Sequence, residues 1–453
     1  MKKRDLTEGS IRKHMTNMTI PMIFGILSMV AFNLIDTYFV GQLGPDQLAA
    51  LSFTFPVIMV IFSLVQGIGI GATALISKSI GKNDHKKAAR ETTDSLILGV
   101  LIASVFVVLG LLTIQPTFEL LGASDRIMPY VEDYMTLWYL AILFVVIPFI
   151  GNSAIRATGD ARTPSLIMLF AVAINAILDP LLIFGYGPFP AMGIEGAALA
   201  TAISRALTLV LAIFVLYKRE KLITLDVLAK SILYGCWRSI LYIGLPSGFS
   251  RMVTPLASGV VTGLLARYSE SAVAAYGVGT RIEFLASSVL IALSATVGPF
   301  TGQNLGAQKY DRIKSSIRGS NQFSLIWAFG MSLLMLPFAR EIASVFTDSE
   351  DVIQYIELFL WIVPFSLGFQ GIVQIINANL NTINKPLQAS YIMIGQNFLI
   401  YIPAAIIGSN YFGVAGIFWS ISITYILGGV ISMIVNTRIF KRLLDTSVSL
   451  KEP

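Results

Sequence analysis

Hydrophobic residues fall in long runs along this chain, and each run is close to the roughly 20 residues a helix needs to cross a bilayer. The pattern predicts twelve membrane-spanning helices, at about 16–40, 48–76, 92–113, 129–150, 164–185, 194–217, 241–266, 272–300, 321–337, 351–376, 387–408 and 414–437. They form two sets of six. Shifted by 225 residues, the chain matches itself: Pro21 falls on Pro246, Ala49-Ala50 on Ala274-Ala275, Gly81 on Gly306, Tyr130 on Tyr355, Glu132 on Glu357 and Asn152 on Asn377. Further along the offset is 220, with Gly193 on Gly413 and Gly196 on Gly416. The matched proline, glycine and asparagine positions sit at the edges of apolar runs, where backbone geometry limits residue choice most. Two tandem copies of one spanning unit are the layout of a transporter, with its site within or between the copies. An even number of spans per copy inserts both copies the same way up, so an axis along the membrane normal should relate them.

Composition leaves no other class open. Of 453 residues, 55% are hydrophobic and 13% charged, with a mean hydropathy of +0.75, far too apolar for a soluble domain. The net charge of +6 does not point to nucleic acid, because 26 of the 32 lysines and arginines fall on one side of the predicted topology. Arg126, Arg267 and Arg340 fall on the other side, and Arg205, Arg251 and Arg281 lie within spans. That bias predicts that both termini are cytoplasmic, and the cytoplasmic (inner) membrane is the expected location. The single cysteine, Cys236, excludes an internal disulfide and a thiolate metal cluster, and His14 and His85 fall in cytoplasmic segments. No cofactor is expected. The polar tail Met1–Lys13 reads as a short amphipathic lead-in without a cleavage site. The expected domains are an N-terminal six-helix lobe, 1–217, a cytoplasmic linker, 218–240, and a C-terminal six-helix lobe, 241–453.

Ionisable groups inside spans are costly and mark function by default. Asp36 lies about five residues from the outer end of helix 1, and Asp179 about six from that of helix 5. Asn175, four residues before Asp179, shares its helix face. Thr201 lies about seven residues below the outer mouth in helix 6. At 1.5 Å per residue, all four sit at similar depth, roughly 8–15 Å beneath the outer surface. Two carboxylates, an amide and a hydroxyl at one level are the makings of a proton or sodium site, since hard oxygen ligands suit Na⁺ and neighbouring acids favour a shared proton. The bland alternative is that they only hold helices together.

The counterpart of Asp36 in the second copy is Val261, so only the first half keeps the cluster. The second half has its own polar residues, Arg281, Glu283, Gln370 and Gln374. Arg281 and Glu283, two apart on a helix, do not face each other. These residues and Asn152 are secondary or structural candidates, with the arginines weighted toward structure. Pro21 removes a backbone donor near the start of helix 1, and a kink there would move Asp36.

The run FNLIDTYFVGQLGPDQLAALS, the motif NSAIRATGDARTP (Asn152–Pro164) and GIEGAALATAIS (Gly193–Ser204) resemble the multidrug and toxic compound extrusion (MATE) family over nearly the whole chain, from about Met15 to Lys441. The second-half counterpart of the middle motif, NANLNTINKP, is a degenerate version of it. The resemblance implies an all-α bundle of twelve helices in two parallel six-helix repeats that form a V-shaped cleft. It implies export of organic cations or other amphipathic compounds in exchange for H⁺ or Na⁺. In the DinF-like branch the cation site lies in the N-terminal lobe; matched residue by residue, it corresponds to Asp36, Asn175, Asp179 and Thr201. The NorM-like branch uses carboxylates in the C-terminal lobe, and helices 7 and 10 here offer no convincing match, although Glu283 keeps a second site open.

No GxxxxGK[ST] phosphate loop appears, so direct drive by ATP is not expected. An intramembrane enzyme would need a nucleophile–base pair or a metal cluster, and neither histidine nor the cysteine lies in a clear core position. A flippase for a lipid-linked precursor is the alternative, weakened because only three arginines lie in spans. The expected protein is a monomeric cation-coupled antiporter for amphipathic, cationic small molecules, with no nucleotide partner.

Overall fold

A computed structural model of the chain describes residues 5–224 and 230–449. Residues 1–4, 225–229 within the expected linker, and 450–453 lie outside the described residues. Apart from turns and short connections the described residues are helical, with no strand among them. The helices are α1 Ile11–Gly41, α2 Pro45–Gly81, α3 His85–Leu120, α4 Met128–Leu140, α5 Ile142–Ala157, α6 Arg162–Ile183, α7 Gly193–Phe214, α8 Lys230–Ala266, α9 Glu270–Gly306, α10 Tyr310–Met335, α11 Ala339–Ser344, α12 Glu350–Ile362, α13 Leu367–Thr382, α14 Pro386–Ile394 and α15 Ile402–Ser449.

Among the described residues nine helical stretches are long and apolar enough to cross a membrane, or ten counting the pair α4 and α5, which bends by 47°. Each of the twelve expected spans falls on a helix. Two reasons account for the lower count. The stretch Pro386–Asp445 counts once, but α15 breaks at Gly413, whose φ of 60° and ψ of −140° are not helical. There Gly408 and Gly416 meet backbone to backbone, so the chain doubles back and the stretch holds two spans. Helix α10 opens on Arg312, Lys314 and Arg318, which leaves little continuous apolar length.

The 225-residue repeat is visible in the backbone turns. Six of the twelve positive-φ residues among the described ones pair: Asn83 (58°) with Gln308 (58°), and Gly159 (88°) with Asn384 (62°) at offset 225, then Gly193 (57°) with Gly413 (60°) at offset 220. The turn after α2 closes with Asp84 N–H donating to Ser79 O (3.0 Å), and the turn after α9 with Lys309 N–H donating to Asn304 O (2.8 Å). Left-handed backbone at a helix C-terminus satisfies otherwise orphaned carbonyls, which is why the geometry persists where the residue has changed.

By contact the chain divides into two compact units, Met1–Asp5 with Ile20–Gly248, and Leu6–Thr19 with Phe249–Pro453. The first has a continuous apolar core built around Ile68, Ile76, Val131, Trp138, Ile142 and Ile150. In the second, Tyr276, Phe359 and Phe418 pack edge to face, with ring centroids 6.4 and 5.2 Å apart.

Of the N-terminal tail, residues 1–4 lie outside the described residues, and residues 5–10 are not helical. Residues 6–10 form a non-helical strap within the second unit. Leu6 is buried; its N–H donates to Gln303 Oε1 (3.1 Å), and its carbonyl accepts from Asn304 Nδ2 (3.2 Å). The Arg312 guanidinium donates to the carbonyls of Leu6, Glu8 and Gly9 and to Asn304 Oδ1, at 2.8 to 3.3 Å. Hydrogen bonds from a charged donor contribute about 1.5–3 kcal/mol each, though not additively. Arg312→Ala is therefore expected to lower the thermal midpoint in detergent and to speed amide exchange at Leu6–Gly9. Unchanged protection of those amides would show that the strap is held by something else.

Candidate functional site

Helices α1, α6 and α7 of the first unit carry the four residues singled out in sequence. Two contacts set α1 against α6: a Cβ on Gly25 would lie 3.0 Å from Ser165 Oγ, and the rings of Phe39 and Phe184 meet edge to face with centroids 6.3 Å apart. The two helices thus run alongside each other in one direction. Asp36 lies three residues before the Phe39 end and Asp179 five before the Phe184 end, so both acids sit roughly 5–8 Å along the axis from that contact. Helix α7 returns against α6, with Gly196 pressed onto the Leu182 carbonyl, an approach only glycine allows. Counting down from there brings Thr201 to the level of Asp179 within about one helical turn.

One turn deeper lies a second layer. Phe32 precedes Asp36 by four residues, Asn175 precedes Asp179 by four, and Arg205 follows Thr201 by four. The Arg205 guanidinium stacks on the Phe32 ring at 4.4 Å from its centroid, tying α7 to α1. Asn175 Nδ2 donates to Asp179 Oδ1 at 2.9 Å, fixing the amide orientation. Asp36 lies within electrostatic reach of both Arg205 and Asp179, and buried Tyr134 on α4 within reach of all three.

Burial with unmet hydrogen bonding sets this region apart. Asn175 and Asp179 are fully buried, and Asp36 and Thr201 are 8% and 9% exposed. Asp36 Oδ1, Asn175 Oδ1, Asp179 Oδ2, Thr201 Oγ1, Ser204 Oγ and Arg205 Nε have no hydrogen-bond partner. Buried polar atoms are nearly always paired, and a cluster of orphans leaves lone pairs free to meet a water or a cation. The unpaired acceptors are all oxygens, a donor set that suits a proton or an alkali cation. No group of three or more His, Cys, Asp or Glu that could hold a metal ion occurs among the described residues.

The structure adds Tyr134, Ser204 and Arg205 to the four. Ser204 and Arg205 were legible, standing three and four residues after Thr201 and hence on its face. Tyr134 was not, because nothing in an aromatic-rich helix singles out one ring. Pro21 lies within α1, which continues unbroken to Gly41. The motif around Asp160 turns out to be a fastening. Its buried carboxylate accepts from Arg162 N, Thr163 N and Thr163 Oγ1, and from Arg219 Nη2 at 2.5 Å. It thereby binds the start of α6 to Arg219, at the end of the π-helical stretch Val215–Arg219 that follows α7.

The remaining candidates lie elsewhere. Asn152 on α5 and its repeat partner Asn377 on α13 are both 7% exposed and both have an unpaired Oδ1. In the second unit Tyr425 donates to Glu283 Oε1 at 2.5 Å, while Gln370 accepts from Gln396 Nε2 at 2.8 Å. Arg281 is exposed and Gln374 half-buried.

The MatE family model matches residues 21–181 and again 246–407, two segments set apart by the same 225-residue step. The chain belongs to the MATE family. Similar proteins include a FAD transporter of Shewanella oneidensis, 36% identical over 431 residues that cover 94% of this chain and 95% of that one. The multidrug export protein MepA of Staphylococcus haemolyticus is 27% identical over 448 residues, 98% of this chain and 97% of its own. The crystal structure of a mutant of the Vibrio cholerae MATE transporter VcmN matches with a TM-score of 0.90 at 30% identity, over 95% of this chain and 97% of that one. As a MATE chain it is a multi-span membrane transporter and not an enzyme.

Proposed function

We propose that this MATE protein is a cation-coupled antiporter that exports amphipathic small molecules, organic cations among them, in exchange for H⁺ or Na⁺. In this reading it sits in the cytoplasmic membrane with both termini inside, as two six-helix lobes, 1–217 and 241–453. Its coupling site is of the DinF-like kind, in the first lobe. The observation that carries the proposal is the group of buried, unpaired oxygens on Asp36, Asn175, Asp179 and Thr201. Relatives named as multidrug export proteins support drugs as cargo.

Ionised, Asp36 and Asp179 favour a cationic cargo. A proton or Na⁺ arriving from outside neutralises them, removes that attraction and releases the cargo outward. Only a ligand with different affinity for the two states can drive such a cycle, and a neutralised acid pair supplies that difference. The test is efflux of a fluorescent organic cation from everted vesicles, energised by a pH gradient alone or a sodium gradient alone. One gradient should drive it, and efflux that persists with both collapsed would sink the coupling.

A second cargo is favoured by one observation. The relative named as a FAD transporter is 36% identical to this chain, against 27% for MepA of Staphylococcus haemolyticus and 26% for the probable multidrug resistance protein YoeA of Bacillus subtilis. A flavin dinucleotide carries an aromatic ring and two phosphates, and Arg205 offers a cation in the candidate site. Export is expected to raise FAD in the medium of cells expressing the chain, and equal FAD with and without it would remove this reading.

A further inference from the structure

Helix α8 carries an apolar groove of about 640 Å³ whose wall includes Tyr234, Trp237, Arg238, Leu241, Tyr242 and Leu245. Those positions follow helical spacing, so they form one stripe along one face. Trp237 and Leu241 lean on the core, while among the described residues the rest of the face is open: Tyr234 is 64%, Tyr242 46% and Leu245 42% exposed. From Tyr234 to Leu245 the stripe runs eleven residues, about 16 Å, or half the hydrocarbon thickness of a bilayer. An acyl chain of one leaflet has that length.

Chemistry differs between the two ends of the stripe. Toward the start of α8 stand Tyr234 and Trp237, their rings edge to face with centroids 5.9 Å apart. Trp237 is fixed in place because its indole N–H donates to the Asp94 carbonyl at 2.9 Å. Tyrosine and tryptophan of this kind collect where a membrane helix meets the headgroups. Arg238 is exposed, and among the described residues nothing pairs with it. Helical side chains lean toward the N-terminus, so the Arg238 guanidinium reaches back toward the Tyr234 level, as a snorkelling arginine does. The acid beside Trp237, Asp94, is already engaged by Arg90 at 2.9 Å. Among the described residues the free charge at this end of the groove is therefore positive.

We propose that this groove is a binding site for an anionic phospholipid of the leaflet in which α8 begins. An acyl chain lies along Leu241 and Leu245, and the phosphate is held by Arg238 between Tyr234 and Trp237. A zwitterionic lipid fits the apolar wall equally well, but its cationic headgroup opposes Arg238. Selectivity for negative charge is thus the distinguishing property.

Native mass spectrometry of the full-length protein, purified with phosphatidylglycerol and phosphatidylcholine in equal amounts, tests this. One phosphatidylglycerol should be retained in preference to phosphatidylcholine. Arg238→Gln should reduce that retention about fivefold, the usual effect of one basic residue at an anionic surface. Leu241→Trp, which fills the groove, should remove both lipids from the site. Equal retention of the two lipids by the wild type overturns the proposal, as does unchanged retention in Arg238→Gln. A photoreactive residue in place of Tyr242 adds an independent readout. Crosslinks to lipid support the site, and crosslinks to residues 225–229 or to a second copy of the chain mean that protein covers the groove instead.

Discussion

Asp36→Asn is expected to reduce active efflux to the level of cells without the transporter, while the protein remains folded and inserted. Asparagine keeps the shape of the side chain and its place on α1, one turn beyond the Phe32–Arg205 stack. It removes the one property coupling requires, a charge that a proton or Na⁺ can cancel. The unpaired Oδ1 of Asp36 means that no protein hydrogen bond at that atom is lost, so a folding defect is not the anticipated route to inactivity. The measurement is efflux at matched expression, with thermal stability of the purified variant alongside. Wild-type efflux by a stable Asp36→Asn protein would exclude Asp36 from coupling. Binding of the fluorescent cation without gradient-driven release would identify the lost step as the exchange itself.

Much of this was legible in the sequence because the residues concerned answer to local rules. Gly193 and Gly413 both adopt positive φ, a backbone necessity that keeps glycine in both copies. The turns at 83 and 308 and at 159 and 384 keep the geometry with different residues and were not legible as identities. Acids inside apolar runs are costly enough to stand out alone. Neighbourhood was harder to read. Glu283 and Tyr425 are 142 residues apart, and only packing brings them together. The strap at Leu6–Gly9 is held by Arg312 some 300 residues away, through backbone carbonyls that any sequence could supply. The expected single span 129–150 breaks after Leu140 with neither proline nor glycine at the break, and we have no physical account of it. The π-helical stretch Gly395–Tyr401 has a reason after the fact: Pro403 has no N–H to give to the preceding turn, and a wider turn absorbs the mismatch.

Placing an aspartate at Val261 is expected not to restore efflux to Asp36→Asn, and Glu283→Gln is expected to keep a substantial part of it. The reason lies in what the second copy has built at the corresponding place. Asp36, Tyr134 and Thr201 correspond by the repeat to Val261, Phe359 and Ile421, and all three are buried members of one apolar core cluster. Where the first unit has orphaned oxygens, the second has hydrocarbon. An aspartate at Val261 would lack the amide and hydroxyl that accompany Asp36, and a buried carboxylate without partners is strongly disfavoured. The position of Arg205 is taken by Tyr425, whose hydroxyl already serves Glu283. A glutamine at 283 can still accept from that hydroxyl, so Glu283→Gln leaves the contact in place while removing the charge. Efflux by Glu283→Gln, Asp36→Asn and the Asp36→Asn, Val261→Asp double variant, at equal expression and membrane insertion, separates the outcomes. If Glu283→Gln abolishes transport as completely as Asp36→Asn, coupling belongs to both halves. If Val261→Asp rescues, a lone acid at that depth suffices and the oxygens around Asp36 are packing groups.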